Sequence, residues 1–83
     1  MNDIKVYGAE WCHDSQRTRR HLNQLGVPYE YINVDEDEAA NFWITKQNNG
    51  KRVTPTVDLN GTILFEPSDP ELDEALKAAG ILQ

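Results

Sequence analysis

The one side chain of this sequence that could serve as a sulfur nucleophile is its single cysteine, Cys12, in the run Trp11-Cys12-His13-Asp14-Ser15. It follows the short apolar stretch Ile4-Lys5-Val6-Tyr7 and opens a stretch without Gly or Pro that lasts to Leu25. Cys12 therefore falls where a strand gives way to a helix. The first turn of a helix has N–H groups without intrahelical acceptors and carries the positive end of the helix dipole, so it favours a thiolate over a thiol. The thiolate is the reactive form, and a free cysteine of pKa about 8.5 is mostly protonated at neutral pH. Position alone can make Cys12 a nucleophile; the plainer alternative is a small buried hydrophobe, the usual fate of a free cysteine.

Ser15 stands where a redox dithiol would have its partner, so Cys12 cannot close a disulfide within its own chain. Two readings of Ser15 stand side by side, an ordinary helix residue bonded to the backbone or a weak hydrogen-bond donor to the Cys12 sulfur. His13 and Asp14 act in opposite senses on the thiol. A nearby carboxylate raises a thiol pKa and a protonated imidazole lowers it.

These residues need elements to hold them. Ile4 to Tyr7, ending at Gly8, reads as a short buried strand. Ser15, Thr18, Leu22 and Leu25 recur at helical spacing, with Gly26 as the C-cap and Pro28 as a stop. Tyr29 to Val34 is β-branched and aromatic, which predicts a second strand. Asp35 to Glu38 is acidic, as a first helical turn should be, and Ala39, Ala40, Trp43, Ile44 and Gln47 form a stripe ended by Asn49-Gly50. Thr56–Leu59 and Thr62–Phe65 flank Asn60-Gly61, whose tolerance of positive φ predicts a type I′ hairpin. Ser68 or Asp69 as N-cap, Pro70 and Glu71 begin a last helix with Leu72, Ala75, Leu76 and Ala79 inward and Gly80 at its end.

The order β-α-β-α-β-β-α implies an α/β fold. A helix between the first two strands makes them parallel, and the hairpin adds an antiparallel half, giving a mixed four-stranded sheet flanked by helices. Cys12 then lies at the carboxyl end of the first strand, where open α/β sheets place their sites.

The bulk properties narrow the function. Eighty-three residues make one domain, spanning 1–83. A formal charge of −6 argues against nonspecific binding to nucleic acid or to an anionic membrane. No apolar run approaches the roughly 20 residues of a membrane span, and Met1 to Lys5 lack the layout of a secretory leader. A single cysteine suits a reducing cytoplasm, and with only His13 and His21 beside it no multi-thiolate zinc site can form. For an acidic chain of this size a monomer is the default.

Trp11-Cys12-x-x-Ser15 and Val53-Thr54-Pro55-Thr56-Val57, in that element order, resemble the glutaredoxin branch of the thioredoxin-like fold. The closest look is to the short mycoredoxin-type glutaredoxin-like proteins. The likeness covers nearly the whole chain, including Ala39-Ala40 with Phe42, Lys51-Arg52, and Pro67-Ser68-Asp69. It implies a thiol–disulfide oxidoreductase in a monothiol form, acting on mixed disulfides between proteins and a low-molecular-weight thiol. That thiol, glutathione or mycothiol, would be the co-substrate, with no tightly bound cofactor.

The resemblance also assigns roles. Cys12 is the catalytic thiol and Ser15 replaces the second cysteine. Trp11 and His13 flank the bound thiol, Thr54 docks its backbone, and Pro55 is a cis proline. Arg52 pairs with a ligand carboxylate, while Ser68 and Asp69 hold the ligand's charged end. Ala9 stands where many glutathione-using members have a lysine, and His13-Asp14 replaces their Pro-Tyr or Gly-Tyr. Two alternatives belong to other classes. One is a [2Fe–2S] carrier formed between two chains with a thiol co-ligand, and the other is a redox sensor or scaffold that keeps the fold without turnover. The run Arg17, Arg19, Arg20 and His21 reads as a solvated basic helix face before it reads as a docking site for an acidic partner.

Overall fold

Alternation along Ile4-Lys5-Val6-Tyr7 sorts the core into two layers in the computed structural model, which describes residues 3–82. Met1 and Asn2, part of the stretch read above for a leader, lie outside the described residues, as does Gln83. The elements run β1 (Ile4–Gly8), α1 (His13–Leu25), β2 (Glu30–Asn33), α2 (Glu38–Gln47), β3 (Thr56–Leu59), β4 (Thr62–Phe65) and α3 (Asp69–Ala78). The sheet order is β2-β1-β3-β4. β1 pairs parallel with β2, and the β1–β3 and β3–β4 pairs are antiparallel. This is the mixed sheet expected from the element order.

On one face Ile4 and Val6 join Val57 and Leu59 of β3, Leu22 of α1, Val27, and Leu72 and Leu76 of α3 in one apolar cluster. On the other face Tyr7, Val34, Ala40 and Ile44 form a smaller cluster under α2. The Trp43 ring stacks on Tyr7 with centroids 5.0 Å apart. Burying one such aliphatic side chain contributes about 1.5–3 kcal/mol, and these two clusters carry most of that gain.

Helix ends follow their residues closely. Gly26 takes a left-handed φ of 69° after α1, and its N–H bonds the Asn23 carbonyl while that of Val27 bonds Leu22. Ser68 caps α3 in a reciprocal box, its hydroxyl accepting from the Glu71 N–H and its own N–H donating to the Glu71 carboxylate. Asn60 and Gly61 both have positive φ, as the hairpin requires.

Some expectations are corrected. Leu25 is 37% exposed, because the reversal at Gly26 puts Val27 into the core in its place. Ala39, Gln47 and Ala79 are exposed; α2 covers only the part of the sheet around Tyr7 and Val34, so its apolar stripe is narrower than the sequence suggests. β2 is one residue shorter at each end than Tyr29–Val34. Asp35 and Glu36 precede α2 instead of forming its first turn, and Asp37 is the N-cap, its carboxylate accepting from the Ala40 N–H at 3.0 Å.

Candidate active site

β1 ends at Gly8, and the chain turns through Ala9–Trp11 to bring Cys12 to the N-cap of α1. The Cys12 N–H donates to the Ala9 carbonyl at 3.1 Å, which fixes the turn. The sulfur is half-buried and lies 3.6 Å from the Thr54 carbonyl oxygen, to which the thiol donates. The Thr54–Pro55 peptide is cis, and Pro55 is fully buried. Thus α1 and the segment leading into β3 meet at the sulfur, although 42 positions separate Cys12 from Thr54.

Burial is the largest single influence on the Cys12 thiol and pushes its pKa up. Four smaller ones together outweigh it and bring the thiol below its ordinary value. These are hydrogen bonds from the Ser15 and Thr54 side chains and from the backbone N–H groups of Ser15 and Asp14. Neither the Asp14 carboxylate nor His13 figures among these causes, so the opposition expected between them does not set the thiol.

Ser15 itself is fully buried, and its hydroxyl oxygen accepts from the Ala9 N–H at 3.3 Å. The Ser15 oxygen thus serves the backbone at Ala9, and its side chain is among the groups that lower the Cys12 thiol. A β-carbon at Gly8 would fall 2.7 Å from the Ser15 hydroxyl oxygen and 2.9 Å from its β-carbon. Gly8 is therefore what allows α1 to begin so close to β1.

A second group lies on the Trp11 side. Trp11 is 66% exposed, and its indole N–H donates to Asp35 at 2.7 Å. The other Asp35 oxygen accepts from the Arg52 guanidinium. Arg52 first and Trp11 second hold the Asp35 carboxyl below the usual carboxylate range. Asp35 was not among the sequence candidates. The available signal was topological: it lies two residues after β2, whose carboxyl end is beside that of the parallel β1.

A third group joins α1 to the start of α3. Arg17 donates to Asp14 at 2.7 Å and to the Pro67 carbonyl at 2.9 Å, and lies 3.4 Å from Asp69. His21 contacts Asp73 at 2.7 Å and stands 3.8 Å from Asp69. Asp69 thus faces two basic side chains, and the Ser68 N–H is engaged by Glu71. His13 is exposed on the first turn of α1. Arg19 is held between Glu10, at 3.0 Å, and the face of Tyr31, at 3.7 Å from the ring centroid. The basic run is consequently mostly consumed by internal partners. Of the sequence candidates, Cys12, Ser15, Thr54 and Pro55 come together, Trp11 and Arg52 meet through Asp35, and Ser68 and Asp69 belong to the α3 group.

Among the described residues no group of three or more His, Cys, Asp or Glu side chains is placed to hold a metal ion. The one thiol per chain is too small a donor set for a cluster held by this chain alone. None of the described helices is long and apolar enough to cross a membrane.

The glutaredoxin family model matches residues 4–64. The chain belongs to the glutaredoxin family. Among the similar proteins is Mycoredoxin 1 of Corynebacterium glutamicum, 32% identical over 79 residues that span 94% of this chain and 98% of that one. The glutaredoxin of Archaeoglobus fulgidus superposes with a TM-score of 0.75 at 25% identity, covering 93% of this chain and 88% of the other. A thioredoxin-like protein superposes with a TM-score of 0.80 at 26% identity, covering 89% and 99%. This glutaredoxin therefore has the thioredoxin-like fold expected of its sequence and is a redox protein of mycoredoxin-like type. Glutaredoxins act on thiols and disulfides with a small thiol as co-substrate, and Cys12 is the single cysteine of this sequence.

Proposed function

We propose that this glutaredoxin is a monothiol thiol–disulfide oxidoreductase that removes a small thiol from proteins. The observation that carries the reading is a half-buried thiol at a helix N-cap, held below its ordinary pKa, with Ser15 in place of a second cysteine.

The Cys12 thiolate attacks the small-thiol sulfur of a protein mixed disulfide, in line with the protein sulfur. A new S–S bond forms between Cys12 and the small thiol as the old one breaks. The target leaves as a thiolate and takes a proton from water. A second small-thiol thiolate then attacks the Cys12-bound small thiol, giving the small-thiol disulfide and regenerating the Cys12 thiolate. The net exchange turns the protein mixed disulfide and one free small thiol into the protein thiol and the small-thiol disulfide, with ping-pong kinetics. The hydrogen bonds at the sulfur stabilise Cys12 both as nucleophile and as leaving group.

Thr54 and Pro55 form the wall beside the sulfur, and Trp11 and His13 flank it. Arg52, Ser68 and Asp69 orient the small thiol, glutathione or mycothiol. The chain acts as a monomer in a reducing cytoplasm, without nucleic acid or membrane as partner.

The test is steady-state turnover of a small-thiol mixed disulfide at several co-substrate concentrations. Parallel double-reciprocal lines and complete loss in Cys12→Ala are expected. Residual turnover in purified Cys12→Ala would overturn the mechanism.

A further inference from the structure

Arg52 lies two residues before Thr54, whose carbonyl faces the Cys12 sulfur, and is joined through Asp35 to Trp11, the residue before Cys12. Along the chain the trio therefore adjoins both residues that meet at the sulfur, Cys12 and Thr54. Asp35 spends one carboxylate oxygen on the guanidinium and the other on the indole N–H, which are the bonds that an anionic group of a ligand would seek. The other charged positions follow the same pattern. The Ser68 N–H is taken by Glu71, and Asp69 faces Arg17 and His21.

We propose, building on the transfer reaction above, that Asp35 is a specificity-determining residue: its carboxylate occupies Nη2 of Arg52, places a negative charge beside the guanidinium, and so favours small thiols with no carboxylate there. The class it suits is a small thiol that presents no carboxylate to Arg52. A carboxylate-ended thiol must either displace Asp35 or add a second anion beside it. Both side chains of the Asp35–Arg52 pair are more than one-third exposed. Pairs of that kind are weak and screened, so the discrimination is about fivefold and not absolute.

The probe is one uncharged peptide carrying either glutathione or the glycine ethyl ester of glutathione in mixed disulfide, two substrates that differ by a single carboxylate. The readout is the ratio of their kcat/KM values. The wild-type chain is expected to use the ester at least as well as the free acid. Asp35→Asn shifts the ratio toward the free acid by about fivefold, with the change falling on KM and fading at high salt. Trp11→Phe removes the indole donor but leaves Asp35 on Arg52, and keeps the wild-type ratio. Arg52→Gln in the wild-type background leaves Asp35 without its cation and moves the ratio further toward the ester, the direction opposite to Asp35→Asn. An unchanged ratio in Asp35→Asn overturns the inference, as does a severalfold wild-type preference for the free acid that Arg52→Gln abolishes. Turnover of neither substrate by the wild-type chain overturns the proposed function itself, an outcome distinct from equal turnover of both by every variant, which overturns only the role of Asp35.

Discussion

Ser15 places a hydroxyl and a backbone N–H at the Cys12 sulfur while its oxygen accepts from Ala9. In the proposed monothiol reading it stands in place of a second thiol. The consequence is a pH profile. Alkylation of Cys12 by iodoacetamide should follow the thiolate fraction, with a midpoint below that of an ordinary thiol at about 8.5. Ser15→Ala removes the side-chain bond but keeps the backbone N–H, so the midpoint should rise while the folded state persists. A midpoint that stays put or falls would show that the hydroxyl does not act on the sulfur. The linkage has a definite sign. A folded-state pKa lowered from the unfolded value makes the ionised thiol stabilising above the unfolded pKa, and that contribution is lost as pH falls through the folded value.

At the scale of elements, the approach of α1 to β1 is set by Gly8. A methyl group there would meet Ser15 at 2.7 and 2.9 Å and Tyr31 at 3.3 Å. Gly8→Ala should cost about 1–3 kcal/mol in chemical denaturation, as overpacked sites do. It should also raise the Cys12 midpoint, because the first turn of α1 is pushed from its place. Wild-type stability in Gly8→Ala would show that α1 has room to yield.

The ends of these elements were largely legible in the sequence, because a cap or a tight turn is a local requirement. Gly26, Asn60-Gly61, and Ser68 with Glu71 each declared a particular backbone state through residue type. The narrow inward face of α2 was not legible. Ala39 and Gln47 sit at helical spacing, but how much sheet a helix covers depends on its neighbours and not on its period.

Across the whole molecule, the site is assembled by contacts between distant segments. Arg17 reaches the Pro67 carbonyl 50 positions away, and Arg52 reaches back to Asp35. Periodicity carries no trace of such pairs, which is why Arg17 read as part of a solvated basic face and Asp35 as a helix first-turn acid. The turn carrying Cys12 and the cis Pro55 were legible because each comes with its own neighbours in sequence. Arg17→Gln should loosen the start of α3 from α1 and lower stability by about 1 kcal/mol, in keeping with half-exposed charged hydrogen bonds. An unchanged melting curve would mean that the α1–α3 junction rests on its apolar contacts alone.

The central claim, that Cys12 takes a small thiol from a protein and keeps it until a second small thiol arrives, is open to one direct measurement. The reduced chain is mixed in a single turnover with a glutathionylated peptide and, separately, with a mycothiolated one, and the intact protein mass is read. A mass gain of one small thiol on Cys12, with free peptide released, is the expected result, and the substrate that reacts names the carrier. Peptide attached to Cys12 would reverse the sulfur that is attacked, and unmodified protein with both substrates would contradict the transfer.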